Sequence, residues 1–227
     1  GTWLTEVKAI MGLLEVAAAM KFLSNVDLVW HWGIFTRTVV LVSWVVIALA
    51  MAWRFAAAAM RAARGPEGPR LRQAGIARPL LAIASLLLAV WLGNGARGAR
   101  MGELEAFLPP AEASVLAAGK EPEWITNDYD QALRVAKAEG RPIMIDFTGY
   151  TCTNCRWMEA NMFPKPEVAV ELARYVRVRL YTDGQGEPYA GFQKMQREVY
   201  GTVALPYYAA LDPDGTPKVA FGGLTRN

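Results

Sequence analysis

The 227-residue sequence holds two cysteines and no others, placed as Cys152-Thr153-Asn154-Cys155. A C-x-x-C pair can exchange with other disulfides, form a structural cross-link or two inert thiols, or supply half of a zinc site. A zinc site needs further ligands, and the chain offers a single histidine, His31, so no metal is expected. The neighbours of the pair favour redox exchange. The apolar run Pro142–Phe147 before it reads as a buried strand, and Arg156–Met162 after it reads as a helix. Cys152 then falls at a helix N-terminus, where free backbone N–H groups and the dipole favour a thiolate. Such placement lowers a thiol pKa from about 8.5 to between roughly 3.5 and 7.5. Cys152 is expected to be the exposed nucleophile that forms a mixed disulfide with a partner. Cys155, one helical turn deeper, is expected to resolve it. No cofactor is needed beyond the Cys152–Cys155 disulfide itself.

The elements that must position this pair begin near Trp124. Asn127 is a candidate N-cap for a helix with Leu133, Val135 and Ala136 on its apolar face. Gly140 ends that helix and Pro142 opens the strand. After the C-x-x-C helix, Pro164 breaks the helical pattern and Pro166 suits the first position of a new helix. Residues 176–181 alternate Val176, Val178 and Leu180 with Arg177 and Arg179, a second strand. A helix from about Pro188 to Tyr200, stopped by Gly201, precedes a third strand, Pro206–Leu211. Asp212-Pro213-Asp214-Gly215 then turns the chain into a hairpin with Lys218–Phe221.

The first 96 residues have a different character. The chain is 53% hydrophobic, and the excess is concentrated there in three runs: 7–23, 34–53 and 79–96. Each approaches the roughly 20 apolar residues that span a bilayer. Trp30, Trp32, Trp53 and Trp91 fall near their ends, at the level that amphipathic rings prefer. Between the second and third runs lie Arg54, Arg61, Arg64, Arg70, Arg72 and Arg78, opposed only by Glu67. Such an excess marks a cytoplasmic loop. The loop from Asn25 to Trp32, and everything after Arg97, are then expected on the outer side, the periplasm in a bacterium. The net charge of +3 is small and its arginines are concentrated in that loop, which gives no reason to expect nucleic-acid binding. Glu15 interrupts the first run. It is either a functional carboxylate in the membrane or one satisfied by Lys8 or a neighbouring helix. His31, between two tryptophans, is expected to have an interfacial structural role. Residues 97–123, with Pro109, Pro110 and Pro122, read as a linker, leaving 124–227 as the globular domain.

The order helix, strand, helix, strand, helix, strand, turn, strand resembles the thioredoxin fold. The spacing of single residues extends the resemblance over roughly 124–223. Asp146 stands six residues before Cys152, where thioredoxins carry a buried aspartate. Leu205-Pro206 before Tyr207-Tyr208 matches their cis-proline, and Arg179 matches a basic residue near the aspartate. The resemblance implies that Asp146 takes the Cys155 proton during resolution, and that Pro206 presents backbone to a bound substrate strand. Thr151 stands where a tryptophan is usual and Thr153-Asn154 where Gly-Pro is usual, positions that tune potential and partner choice. No final helix follows the hairpin, which suggests a domain truncated at its C-terminus.

The whole layout, transmembrane helices followed by an α/β thioredoxin-like domain, resembles membrane thiol:disulfide interchange proteins of the DsbD type, also known as cytochrome c biogenesis proteins. The stretches Trp3–Lys8, Lys21–Ser24 and Phe147–Arg156 carry the likeness. It implies a protein-disulfide reductase in the bacterial inner membrane, relaying electrons to disulfide-containing periplasmic proteins, including those of cytochrome c maturation. It also implies an upstream membrane domain with its own cysteine pair. The chain is therefore expected to be the C-terminal part of a longer protein. A disulfide oxidase or isomerase, and a tethered binding module without turnover, are the other readings of the same residues.

Overall fold

The computed structural model describes residues 2–64, 72–110 and 124–225. Glu67 and Arg70 of the arginine-rich loop, and Pro122, lie outside the described residues. Contacts divide the chain into two units, residues 1–24 with 33–100 and residues 25–32 with 101–227.

Three long helices dominate the first part of the chain: α1 Thr2–Trp30, α2 Arg37–Arg64 and α3 Arg72–Ala96. Each contains a stretch long and apolar enough to cross a membrane. α1 continues through Asn25 to Trp30, so the expected loop of 25–32 shortens to a few residues after the helix. Inside the first unit α2 and α3 lie side by side, burying Val40, Leu41, Ala48 and Ala58 of α2 and Ala89 and Leu92 of α3. Small alanines at such contacts let helix backbones approach, which matters where lipid removes the hydrophobic drive between helices. Trp44 Nε1 donates to Ala17 O across 2.9 Å, tying α2 to α1. Ser43 and Ser85 satisfy their hydroxyls on the carbonyls of Val39 and Leu81. Glu6 faces Arg61 at 3.6 Å and Arg78 at 3.8 Å, so one carboxylate joins all three helices. Glu15 is exposed on α1.

In the second unit, a five-stranded sheet has the order β1-β3-β2-β4-β5. The strands are β1 Ile125–Thr126, β2 Ile143–Thr148, β3 Val176–Tyr181, β4 Tyr207–Leu211 and β5 Pro217–Gly222. β1, β2 and β3 are parallel, β4 runs antiparallel to β2, and β5 runs antiparallel to β4. α4 Tyr129–Glu139 and α7 Tyr189–Tyr200 cover one face. There Ala132, Ala136, Phe192 and Met195 meet Ile143, Ile145, Phe147, Val178 and Leu180. Alternation along β2 and β3 sends Met144, Asp146, Arg177 and Arg179 to the other face. α5 Thr153–Trp157, its π-helical continuation Met158–Met162, and α6 Pro166–Leu172 follow the cysteines. On their side of the sheet Trp157, Met158, Met162 and Phe163 pack with Tyr208.

Two local expectations change. The N-cap of α4 is Asp128, whose Oδ1 accepts from Gln131 N at 2.7 Å. Asn127 sits one residue earlier with φ 55°, and its Oδ1 accepts from Tyr181 N at 2.9 Å. It therefore joins the start of α4 to the end of β3. The expected linker also contains structure. Residues Gly102–Phe107 form a 3-10 turn, Ala106 and Leu108 are buried, and Trp157 Nε1 donates to Glu103 Oε2 at 3.0 Å. This stretch packs on the helix that carries Cys155.

Candidate functional site

Strand β2 ends at Thr148, and Gly149-Tyr150-Thr151 carries the chain over its C-terminal edge to Cys152. Open α/β sheets hold their sites at this carboxyl edge. Cys152 is the N-cap of α5, and its Sγ accepts from Cys155 N at 3.2 Å. The two sulfurs are joined in a disulfide. Their surroundings differ: Cys155 is buried, whereas Cys152 is partly accessible between Thr151 and Asn154, both at the surface. Only Cys152 can be approached by a large partner.

On the α5 side of the sheet lies a buried charge cluster. Asp146 is 1% exposed and is paired in register with Arg179 on β3 and Tyr208 on β4. Arg179 Nε donates to Asp146 Oδ2 at 3.4 Å and stands 3.5 Å from Glu159 Oε1. Arg156 bonds the same Glu159 oxygen and Thr148 Oγ1, the latter at 2.9 Å, and reaches Tyr181 Oη at 3.3 Å. Glu159 thus bridges two guanidinium groups, one of which, Arg179, also holds Asp146. The arginines remain charged at any working pH, so the proton balance of the cluster falls on its acids. Burial pushes the Asp146 carboxyl up from 3.8 to about 7; Arg179 opposes the rise and Glu159 adds to it. Asp146 Oδ1 has no hydrogen-bond partner among the described residues. Burial likewise pushes the Tyr208 phenol up.

The peptide bond Leu205–Pro206 is cis. Pro206 is buried at the start of β4, and its carbonyl accepts from Gly223 N at 2.9 Å. Leu205 borders the turn before Cys152, because a Cβ on Gly149 would stand 3.1 Å from Leu205 Cδ1. The same Cβ would stand 2.8 Å from Asp183 Oδ2, so glycine is needed there for close approach. The structure therefore gathers the predicted residues. Cys152, Cys155 and Asp146 lie on the α5 side of the sheet, and the Leu205–Pro206 bend sits beside the turn that leads to Cys152. Among the described residues no group of three or more His, Cys, Asp or Glu side chains is placed to hold a metal.

Sequence reasoning gave no role to Glu159, Arg156 or Asp183. For Glu159 a signal exists: it stands four residues after Cys155, the spacing that puts two side chains on one helix face. Asp183 has only its place just beyond the carboxyl end of β3.

Comparison with known proteins places these observations. A family described as thioredoxin-like matches residues 124–221. The chain is 26% identical to the thiol:disulfide interchange protein DsbD of Ralstonia nicotianae over 198 residues, 82% of this chain and 29% of that protein. It is 24% identical to thiol:disulfide interchange protein DsbD 2 of Pseudomonas aeruginosa over 195 residues, 81% and 30% of the two. The chain thus spans under a third of the length of these curated relatives. A solved structure titled DsbH Oxidoreductase is 20% identical, covering 47% of this chain and 76% of its own with a TM-score of 0.38. Residues 124–221 thus match a thioredoxin-like family around the Cys152–Cys155 disulfide, and over 81–82% of its length the chain is similar to DsbD-type thiol:disulfide interchange proteins.

Proposed function

We propose that the chain is a membrane-anchored protein-disulfide reductase whose Cys152–Cys155 pair passes electrons to oxidised proteins on the outer side of a bacterial inner membrane. In the reduced state the Cys152 thiolate attacks one sulfur of a partner disulfide. The partner S–S bond breaks, one partner sulfur leaves as a thiolate that takes up a proton, and a Cys152–partner disulfide forms. Cys155 then loses its proton and attacks Cys152. The Cys152–Cys155 disulfide closes and the second partner thiol is released, so two electrons have moved to the partner. Asp146 is the acceptor for the Cys155 proton. Its midpoint near 7 lets it take that proton at neutral pH and return it afterwards. Pro206 and the bend around it receive the extended chain of the partner.

The observation that carries this reading is the accessible Cys152 set against a buried Cys155, with the buried Asp146, its carboxyl pushed up by burial, on the same side of the sheet. The reductant is a second dithiol, expected in an upstream membrane domain on the likeness to DsbD. The outward orientation is supported by the arginines between α2 and α3, and proteins of cytochrome c maturation are the proposed recipients. The reduction potential tests the direction. Equilibration of Cys152–Cys155 with glutathione buffers is expected near the thioredoxin value of about −270 mV. A value near the roughly −120 mV of strong oxidants would instead make the chain a disulfide oxidase.

A further inference from the structure

The turn that delivers Cys152 is held by one carboxylate from another strand end. Asp183 follows β3, and its Oδ1 accepts from Tyr150 N at 2.7 Å. Its Oδ2 accepts from Thr151 N at 3.0 Å and from Thr151 Oγ1 at 2.9 Å. All three donors belong to the two residues before Cys152. Gly149 leaves the space that the carboxylate occupies. Tyr150, the middle of the turn, is stacked on Tyr181 with ring centroids 3.9 Å apart. The turn is thereby pinned on both sides, by a ring and by a charge. The threonine at 151 also acquires a reason, since its hydroxyl is one of the three donors.

We propose that Asp183 is a positioning residue for disulfide exchange, fixing the turn that aims the Cys152 sulfur and setting the charge beside it. The proposal rests on the reading of Cys152 as the attacking thiol. Two effects follow from the geometry. Charge-assisted hydrogen bonds are about twice as strong as neutral ones, so two from backbone N–H groups and one from the Thr151 hydroxyl hold the turn in one conformation. A negative charge bonded to the residue before Cys152 also opposes the helix dipole and restrains thiolate formation. Asp183 would then trade some thiolate population for a fixed direction of attack.

Because the chain has only two cysteines, a Cys155→Ser background leaves Cys152 as its sole thiol. In the full chain in detergent, the pH dependence of iodoacetamide alkylation gives the Cys152 pKa, and oxidised glutathione as a probe gives the rate of mixed-disulfide formation. Asp183→Asn removes the charge and keeps the shape. It is expected to lower the alkylation midpoint by about half to one pH unit, as loss of one nearby, partly screened unit charge does. Asp183→Ala releases all three donors. It should lower the midpoint similarly and slow attack on glutathione, per thiolate, about tenfold or more, with Asp183→Asn between it and the wild type. The other charged or titratable groups around the pair, Asp146 on β2, Arg179 on β3, and Arg156 and Glu159 after Cys155, are unchanged throughout, as are the phenols of Tyr150, Tyr181 and Tyr189 and the His31 imidazole, which packs on Tyr150 and lies 3.1 Å from Tyr189 Oη. Should Asp183→Ala fail to fold, Thr151→Val removes only the hydroxyl donor and is expected to slow attack two- to fivefold. An unchanged midpoint in Asp183→Asn, or unchanged rates in both Asp183→Ala and Thr151→Val, overturns the proposal. If the Cys155→Ser parent itself forms no mixed disulfide, the reading of Cys152 as nucleophile fails instead.

Discussion

Replacing Asp146 with asparagine tests the buried charge cluster quantitatively. The carboxyl titrates near 3.8 when free and near 7 in the folded domain, a difference of about three units. Each unit is worth about 1.4 kcal/mol, so ionising Asp146 in place costs on the order of 4 kcal/mol. Its folded-state value lies above the unfolded one. Between 3.8 and about 7 the folded chain therefore holds a proton that the unfolded chain has released. Wild-type stability should fall as pH rises through that window and stay low above it. The asparagine amide of Asp146→Asn does not titrate, and it keeps an acceptor for Arg179. The variant's advantage should be small at pH 4.5 and about 2–4 kcal/mol larger at pH 8, allowing for weaker pairing with the guanidinium. Urea pulse proteolysis of the thioredoxin-like domain, in the detergent-solubilised chain at both pH values, reads this directly. The same variant should slow resolution of the mixed disulfide on the order of 100-fold at neutral pH, because Cys155 has lost its base. Stability curves for wild type and variant that run parallel from pH 4.5 to 8 would refute the reasoning.

Other outcomes follow from neighbouring contacts. Glu159→Gln removes a charge that raises the Asp146 carboxyl, so its infrared titration should shift below 7; an upward shift would show that Glu159 acts mainly by neutralising Arg156 and Arg179. Gly149→Ala pushes a methyl group to 2.8 Å from Asp183 Oδ2 and 3.1 Å from Leu205 Cδ1. It should destabilise the domain by about 1–3 kcal/mol, seen as a lowered Tm. Trp157→Phe removes the bond from Nε1 to Glu103 Oε2 and should release the Gly102–Phe107 turn, detected as faster amide exchange across it.

Much of this site could be read from residue types and spacing because its signals are local. Cys152 and Cys155 are marked by their own spacing and by the apolar run before them, Asp146 and Pro206 by their likeness to thioredoxin positions, and glycines or prolines mark the element ends. Contacts over long separations were invisible. Alternation of Val176, Val178 and Leu180 with Arg177 and Arg179 reads as a strand with one wet face, yet Arg177 is 6% exposed. Its guanidinium and that of Arg179 lie 5.8 and 4.7 Å from the Trp124 ring. The sheet needs that second face to hold the carboxylates under α5. Asn127 resembles a helix cap, but bonding to Tyr181 N draws it to β3 and leaves the cap to Asp128. Residues 102–108 look like a tether because their few apolar side chains show no period, and only the surface of α5 reveals what they bury. Asp183 lies far in sequence from Thr151, and no pattern announces a partner at that distance.

The central claim is that Cys152 attacks partner disulfides and Cys155 resolves the product. It is tested most directly by expressing Cys155→Ser in bacteria and resolving non-reducing conjugates by mass spectrometry. Outer-compartment proteins are expected to accumulate, linked through Cys152 and released by dithiothreitol, and the Cys152→Ser, Cys155→Ser double variant should trap none. Conjugates formed equally by Cys152→Ser through Cys155, or absent from Cys155→Ser although the protein is stably expressed, would contradict the account.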